Sequence, residues 1–312
     1  AIRIAREYSG GTGIIVSQEA YHGTSSLTSG CSPALGTGQA LDATTRLVPA
    51  PDYYRIQTED LGDWFAAQIQ QQIDDMKAHG IKFAGFLADS IFSSDGVMPN
   101  PVGFLKKAVD VVHANGGIFI ADEVQPGFAR TGDAFWGFAR HGIVPDVITT
   151  GKPMGNGIPV SGLLAKGDVL AAFSDQIPYF NTFGGNPVSM AAAQAVLKVI
   201  QEEELQAHSK KVGALLQAEL AKLMDKHECV GDVRGAGLFI GFELVKDRDS
   251  KTPDKALALD LIEELRNTHR VLISVAGPYG NVLKLRPPLA FQAHDIDWLV
   301  NALDQAITKL KG

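Results

Sequence analysis

Residues 116–159 read GGIFIADEVQPGFARTGDAFWGFARHGIVPDVITTGKPMGNGIP and contain two short apolar runs, each followed by a reactive side chain. The first run, residues 118–121, is rich in β-branched and aromatic residues and leads into Asp122, as is typical of a buried parallel strand. The second run, Val147–Thr150, comes just before Lys152. If both runs are strands of one sheet, the acid and the amine lie at the same carboxyl edge, where open α/β sheets bind ligands.

An acid and a lysine placed in this way suit pyridoxal phosphate chemistry. The lysine forms a Schiff base with the cofactor, and the acid keeps the pyridine nitrogen protonated so that the ring acts as an electron sink. Most lysines are solvated surface charges, but Lys152 follows an apolar run and precedes a turn-forming segment. Acids also favour helix starts, yet the Gln-Pro-Gly that follows Asp122 and Glu123 disfavours an immediate helix. We therefore take Lys152 and Asp122 as the candidate catalytic residues.

Two segments carry a resemblance to a known family. IADEVQPGFARTG, residues 120–132, and PDVITTGKPMGNGIP, residues 145–159, resemble the signature of the class III aminotransferases, fold type I enzymes that use pyridoxal 5′-phosphate. The acid, the glutamine, the lysine and the glycines recur in the family's order and spacing, and the similarity covers essentially the whole chain. Pro126 and Ala129 depart from the family pattern, but neither change removes a reactive group.

The resemblance implies a set of cofactor-binding residues. It places Tyr21 and Val124 on opposite faces of the pyridine ring and Gln125 at the phenolic oxygen of the cofactor. Thr182 is implied to bind the phosphate of the cofactor held by a partner subunit, so the resemblance also implies a homodimer with a shared active site. The implied set, with Asp122 at the pyridine nitrogen, is Tyr21, His22, Asp122, Val124, Gln125, Lys152 and Thr182.

Three further residues are expected on the substrate side. Asp89 stands where the family usually has a glutamate. Lys284 stands where the family usually has an arginine that grips the substrate carboxylate through two hydrogen bonds. Arg286 shares a face with Lys284 if the segment is extended, because side chains two residues apart lie on the same side of a strand. The two cations suit a phosphate as readily as a carboxylate.

Three functional hypotheses follow. The leading one is a transaminase, in which Lys152 moves a proton between the substrate carbon and the cofactor while an amine and a keto acid exchange an amino group. Residues 179–187, residues 231–241 and Lys284 are most similar to alanine–glyoxylate aminotransferases and ethanolamine-phosphate phospho-lyases. Elimination of phosphate from a phosphorylated amine such as phosphoethanolamine is therefore the alternative. The third hypothesis is a non-catalytic fragment of such an enzyme.

Helix and strand patterns alternate along the chain. Apolar spacing predicts a helix over residues 63–79, a buried strand over residues 82–88 and a helix over residues 103–115. This alternation predicts an α/β fold with a mostly parallel sheet covered by helices. We expect a large cofactor-binding domain in residues 1–201 and a smaller α+β domain in residues 202–312.

Two regions near the start of the chain are less regular. Residues 30–52 are rich in Gly, Pro and Thr and are predicted to form a long loop. The first residue is Ala1, and the sequence has no Gly/Ser-rich phosphate loop of the kind that in the family precedes the first helix. We therefore expect the large domain to be N-terminally incomplete.

Composition excludes several classes of protein. A net charge of −7 and a pI near 5.6 argue against a nucleic-acid partner, which needs clustered Lys and Arg. Cys31 and Cys229 lack metal-ligand spacing, so we expect no metal site and two free thiols in a reducing compartment. Neither a segment of about 20 apolar residues nor a signal peptide is evident, so we expect a cytoplasmic protein without a membrane partner.

Overall fold

A six-stranded, mostly parallel sheet is built from the first part of the chain, within residues 1–311 that the computed structural model describes. Its strands are β1 Gly13–Ser17, β2 Thr45–Val48, β3 Phe83–Ala88, β4 Ile118–Asp122, β5 Val147–Thr150 and β6 Gly162–Ala165. Their order across the sheet is β2-β1-β3-β4-β5-β6, and only β6 runs antiparallel to its neighbour. Every residue of β3 and β4 is buried, as expected of central strands covered on both faces.

Helices cover both faces of this first sheet. They are α1 Ile2–Ser9, α3 Leu61–Ala78, α4 Leu105–Ala114 and α5 Gly167–Ser174; this part of the chain also contains α2 Ser26–Ser29 and α6 Pro187–Glu202, and Ile200 of α6 packs with Phe128 and Ala129. Successive strand residues point to opposite faces, so Ile15 packs in a core with α3 and α4, while Ile14 packs in a separate core with α1 and α5. The Asp60 side chain caps the start of α3 by accepting the Asp63 N–H at 2.9 Å.

A second, antiparallel sheet lies in the last part of the chain. It follows α7 Leu205–Lys226 and consists of β7 Val230–Ala236, β8 Phe239–Asp247, β9 Thr252–Pro253, β10 Ser274–Ala276 and β11 Val282–Leu285, with α8 Lys255–His269 and α9 Ala293–Lys311. The order is β10-β11-β8-β7, and β9 pairs with β8. Residues of α7, α8 and α9 form one core with this sheet, whereas Phe239 packs with Ile91 and Val97 from the loop after β3.

The topology confirms the α/β class, the mostly parallel first sheet and the smaller α+β region. The helices predicted over residues 63–79 and 103–115 are α3 and α4, and the strand predicted over residues 82–88 is β3. The prediction of a continuous loop over residues 30–52 was wrong, because this region contains β2, which pairs only with β1 at the sheet edge. A four-residue edge strand carries too little apolar periodicity to stand out. The domain boundary after residue 201 remains a prediction.

Candidate active site

The acid and the lysine singled out from the sequence lie on neighbouring strands. Strand β4 ends at Asp122, which pairs in register with Thr149 of β5. Lys152 begins the 3₁₀ turn Lys152–Gly155 directly after β5. The expected placement at one carboxyl edge is therefore what the topology shows. The Lys152 amine is exposed and lies 6.0 Å from the centroid of the Tyr21 ring.

Asp122 is fixed by two donors. Its Oδ2 lies 2.7 Å from His22 Nδ1, and its Oδ1 accepts the Val124 N–H at 3.1 Å. The side chains of His22 and Asp122 are only 5% and 12% exposed. His22 is itself held through its backbone N–H, which donates to the Ser32 hydroxyl at 2.9 Å. The sequence offered no signal for the His22–Asp122 contact, because the two residues are separated by 100 positions and His22 lies in a loop.

Glu123 is buried and organises the loop that follows β4. Its carboxylate is fully buried and accepts hydrogen bonds from the Gly137 and Phe138 N–H groups and from the Ser90 hydroxyl. Burial raises the pKa of Glu123 to about 7. These three donors satisfy the carboxylate, so Glu123 is a structural residue of the segment after β4.

Two cations from the second sheet form the opposite wall of the site. Lys284 Nζ donates to the Ser93 carbonyl at 3.2 Å, and Arg286 Nη1 donates to Gln125 Oε1 at 3.0 Å. Burial is the main cause that lowers the pKa of Lys284 to about 8, and the positive charges of Arg286 and Lys152 add to it. Arg286 lies just beyond the end of β11, but both cations line the same cavity.

Asp89, a candidate substrate-binding residue, uses both of its carboxylate oxygens in hydrogen bonds to its own loop. Its Oδ1 accepts the Ile91 N–H at 2.9 Å, and its Oδ2 accepts the N–H of Ser93 at 2.8 Å and the Ser93 hydroxyl at 2.5 Å. Burial raises the pKa of Asp89 against these hydrogen bonds. Neither cavity described below is lined by Asp89. A direct contact between Asp89 and a substrate remains a prediction without support from this geometry.

Several of these groups line two adjoining cavities. One, of about 400 Å³, is lined by Tyr21, Glu19 and Lys284, and the other, of about 340 Å³, is lined by Val124, Phe128 and Arg130. Both are also lined by Lys152, Gln125 and Arg286. Their combined size is in the range of small-molecule and cofactor sites. The lysine amine therefore faces a space bounded by the first sheet on one side and by two cations on the other.

Thr182 lies apart from these cavities. It belongs to an exposed segment in which Tyr179, Phe180 and Phe183 are 69%, 86% and 81% exposed. Asn186 ends this segment as the N-cap of α6, and its side chain accepts the Ser189 N–H at 3.0 Å.

Comparison with family models shows which family the chain belongs to. The model of the family described as aminotransferase class III matches residues 1–307. The chain belongs to the class III aminotransferases. Pyridoxal 5′-phosphate is the cofactor of this family.

Relatives of this class III protein carry two kinds of name. It is 37% identical to a Caenorhabditis elegans protein named ethanolamine-phosphate phospho-lyase homolog 1, and the match covers 99% of this chain and 70% of the relative. It is 39% identical to an Arabidopsis thaliana protein named alanine–glyoxylate aminotransferase 2 homolog 2, mitochondrial, over 99% of this chain and 64% of the relative. The chain thus spans about two thirds of the length of these curated relatives.

Solved class III structures share the fold closely. A phospholyase from Arthrobacter in complex with phosphoethanolamine superposes with a TM-score of 0.93 at 37% identity, covering 98% of this chain and 73% of that one. An amine transaminase from an uncultivated Pseudomonas species, in its pyridoxal-phosphate-bound form, gives a TM-score of 0.88 at 29% identity over 99% of this chain and 73% of that one. The fold type I architecture expected from the sequence is confirmed.

The residues at the carboxyl edge of the first sheet fit the pyridine end of pyridoxal phosphate. The buried Nε2 of His22 has no hydrogen-bond partner among residues 1–311, which leaves a polar atom of the Asp122 pair free for a further group. An anionic carboxylate with a fixed orientation suits a protonated ring nitrogen, and the exposed amine of Lys152 suits a covalent link. Tyr21 supplies a flat face beside that amine.

Membrane-spanning helices and metal-binding clusters are both absent from the described part of the chain. Within residues 1–311, no helix combines the length and apolar character needed to cross a bilayer. The same residues contain no cluster of three or more His, Cys, Asp or Glu side chains suited to a metal ion.

Proposed function

We propose that this class III enzyme eliminates phosphate from a small phosphorylated primary amine such as phosphoethanolamine. The observation that carries the proposal is the pair Lys284 and Arg286, which face the same cavity as the Lys152 amine. A phosphate monoester carries up to two negative charges and three acceptor oxygens, so it is matched by two cations. A carboxylate is matched by a single guanidinium fork. The name of the solved Arthrobacter relative, a phospholyase in complex with phosphoethanolamine, supports the same assignment.

The residues of the first sheet supply the proton chemistry. Pyridoxal phosphate, when bound, acts as an electron sink that acidifies the C–H bond next to the substrate amine. Asp122, oriented by His22 and the Val124 N–H, holds the proton on the ring nitrogen. Lys152 would hold the cofactor covalently, and its amine, when free, would take the proton from the carbon next to the substrate amine. In the substrate the C–O bond then breaks, phosphate leaves with the electron pair, and water converts the released product into an aldehyde and ammonia.

The two cations act on the leaving group. Lys284 and Arg286 bind the phosphate in the ground state and stabilise the additional charge that develops on its bridging oxygen as the C–O bond breaks. Gln125, which accepts from Arg286, orients that guanidinium toward the cavity. The cation pair therefore favours cleavage of the C–O bond and departure of phosphate.

Transamination is the second candidate. It uses the same Lys152 and Asp122, and it is favoured by the 39% identity to the Arabidopsis relative named alanine–glyoxylate aminotransferase 2 homolog 2. In that reaction Lys152 would hold the proton taken from the substrate and pass it on, and no leaving group would depart. The substrate pair is then an amino donor and a keto acid.

One experiment separates these functions. Protein reconstituted with pyridoxal phosphate is incubated with phosphoethanolamine, or with alanine plus glyoxylate, and free phosphate and glycine are assayed. Phosphate release from the first mixture supports the lyase, and glycine from the second mixture with no phosphate from the first overturns it in favour of the transaminase. Neither product, together with no visible absorbance band after cofactor addition, identifies a non-catalytic chain. Lys152→Ala is the control and is expected to abolish both products.

We also propose that the exposed segment around Thr182 docks on a second copy of the chain and that Thr182 contacts the cofactor phosphate held there. The support is the exposed aromatic residues Tyr179, Phe180 and Phe183. Sedimentation velocity is expected to show a dimer, and Phe180→Ser with Phe183→Ser is expected to shift it toward monomer with loss of activity. A fully active monomer contradicts the shared site.

A further inference from the structure

The loop of residues 89–97, which follows β3, connects the two walls of the site through a single residue. The backbone carbonyl of Ser93 accepts a hydrogen bond from Lys284 Nζ at 3.2 Å. The Ser93 hydroxyl accepts one from Gln125 Nε2 at 2.7 Å. Gln125 in turn accepts from Arg286 at 3.0 Å. Both cations of the second sheet are therefore held, directly or through one side chain, by a buried serine of the first.

Donor and acceptor chemistry fixes the direction of this chain of hydrogen bonds. A guanidinium only donates, so the Gln125 atom that faces Arg286 is the amide oxygen. The amide nitrogen of Gln125 then faces Ser93 and donates to its hydroxyl oxygen. The Ser93 hydrogen is left to donate to Asp89 Oδ2 at 2.5 Å. Each link is consistent with only one orientation of the Gln125 amide.

Hydrogen bonds from other elements hold the loop of residues 89–97 in place, so the position of Ser93 is fixed. Arg234 donates to the carbonyls of Gly96 and Val97 at 2.7 and 2.8 Å. The Asp95 carboxylate accepts the Ser17 hydroxyl at 2.7 Å. Val97 has a φ of 64°, a left-handed conformation that a β-branched residue adopts only when its surroundings impose it.

We propose that Ser93 is a positioning residue that sets the spacing and orientation of Lys284 and Arg286 for a phosphate group. This inference rests on the proposed function, because it assigns the anion to the same cation pair. The two cations repel each other and would otherwise move apart in the partly exposed cavity. Ser93 opposes this movement in two ways: its carbonyl accepts from Lys284, and its hydroxyl holds Gln125, whose amide oxygen accepts from Arg286. Asp89 completes the arrangement by accepting the hydrogen bond that the Ser93 hydroxyl donates.

The geometry separates the two roles of Ser93. Ser93→Ala removes the hydroxyl and keeps the carbonyl, so it frees Gln125 and Arg286 while the Lys284 contact persists. A single hydrogen bond in such a setting corresponds to about a 3- to 10-fold change in affinity. We therefore expect Ser93→Ala to raise the Kd for inorganic phosphate and the KM for phosphoethanolamine by about 3- to 10-fold, with kcat changed less than about 2-fold.

The test is calorimetric binding of inorganic phosphate to the pyridoxal-phosphate-loaded protein. Ser9→Ala is the matched control, because the Ser9 hydroxyl, like that of Ser93, both donates and accepts a hydrogen bond, while Ser9 lines neither cavity. The control is expected to bind phosphate like the parent. In an Arg286→Met background, Ser93→Ala is expected to have no further effect, since its effect acts through Arg286.

The outcomes distinguish this inference from the proposed function. If the parent protein binds no phosphate and releases none from phosphoethanolamine, both fail. If the parent binds phosphate and Ser93→Ala binds it equally well, only the positioning role is overturned, and the same holds if Ser93→Ala and Arg286→Met weaken binding additively. If Ser93→Ala no longer shows the visible absorbance band of the bound cofactor, Ser93→Cys is measured instead. Cysteine is similar in size to serine but has only a weak S–H donor.

Discussion

The two walls of the active site differ in how they are held. The cofactor wall, with Asp122 and Lys152, comes from adjacent strands of one sheet, and Asp122 is pinned at 2.7 Å by the mostly buried His22. The wall with Lys284 and Arg286, which we propose binds the substrate anion and call the anion-binding wall, comes from the second sheet but is held by residues on the side of the first. Its contacts are 3.0 and 3.2 Å long and lie at the edge of a cavity. If the proposed roles hold, proton transfer depends on local order within the first sheet, while binding and release of the phosphate depend on how the two sheets pack.

Lys152→Ala tests the cofactor wall with the largest expected effect. It removes both the covalent attachment and the base, so we expect kcat to fall by about 10⁴-fold or more. The visible absorbance band of the bound cofactor should also disappear. Lys284→Ala is the control and should keep that band. Appreciable turnover by Lys152→Ala would show that the amine at this edge is not the reactive one.

Asp122→Asn retains the size of the side chain but removes its charge. We expect kcat to fall by about 10²- to 10³-fold, because the ring nitrogen loses the ionic partner that keeps it protonated. The KM for the substrate should change little, since the substrate is bound by the other wall. Steady-state kinetics measures both values. A change confined to KM would reverse the roles that we assign to the two walls.

Lys284→Met tests the anion-binding wall. Loss of one of two cations is expected to raise the KM for phosphoethanolamine by about 10- to 100-fold and to lower kcat by about 10-fold, because the developing charge on the leaving phosphate loses one of its two partners. Lys284→Arg, which restores the charge, should recover part of the affinity. Equal loss in both variants would mean that the length of the side chain, and not its charge, decides binding.

The pH dependence should show the smallest effect. The pKa of Lys284 is lowered to about 8, so the amine is mostly protonated at pH 7 and mostly neutral at pH 9. Affinity for phosphate is present below this pKa and is lost as the pH rises through it, by up to about 10-fold at pH 9. Phosphate titrations at both pH values measure the change. A persistent drop of the same size in Lys284→Met would assign the titration to another group.

The position of the cofactor wall could be predicted from the sequence, because it follows from a general rule about parallel sheets. Parallel strands bring their carboxyl ends to one edge, so two apolar runs were sufficient to place Asp122 beside the turn that carries Lys152. The His22–Asp122 contact could not be foreseen, since a loop residue has no periodicity that fixes its direction. The roles of individual cofactor-binding residues remain predictions from the family resemblance.

The anion-binding wall was only partly predictable. The shared face of Lys284 and Arg286 followed from extended spacing, and both line one cavity. Their partners did not follow from the sequence, because Ser93 and Lys284 are 191 residues apart and Gln125 and Arg286 are 161 residues apart. Contacts between two sheets depend on tertiary packing, which spacing along the chain does not encode.

The bond from Lys284 to a main-chain carbonyl bears on how such a protein evolves. A carbonyl oxygen is present whatever residue occupies position 93, so an exchange at position 284 requires no compensating exchange at its partner. Asp122 and His22, by contrast, contact each other through their side chains, and either one can change only at the expense of the other. If Lys284 binds the substrate as proposed, substrate preference can change by a single exchange at position 284, whereas an exchange at Asp122 or His22 requires a matching change in the other residue.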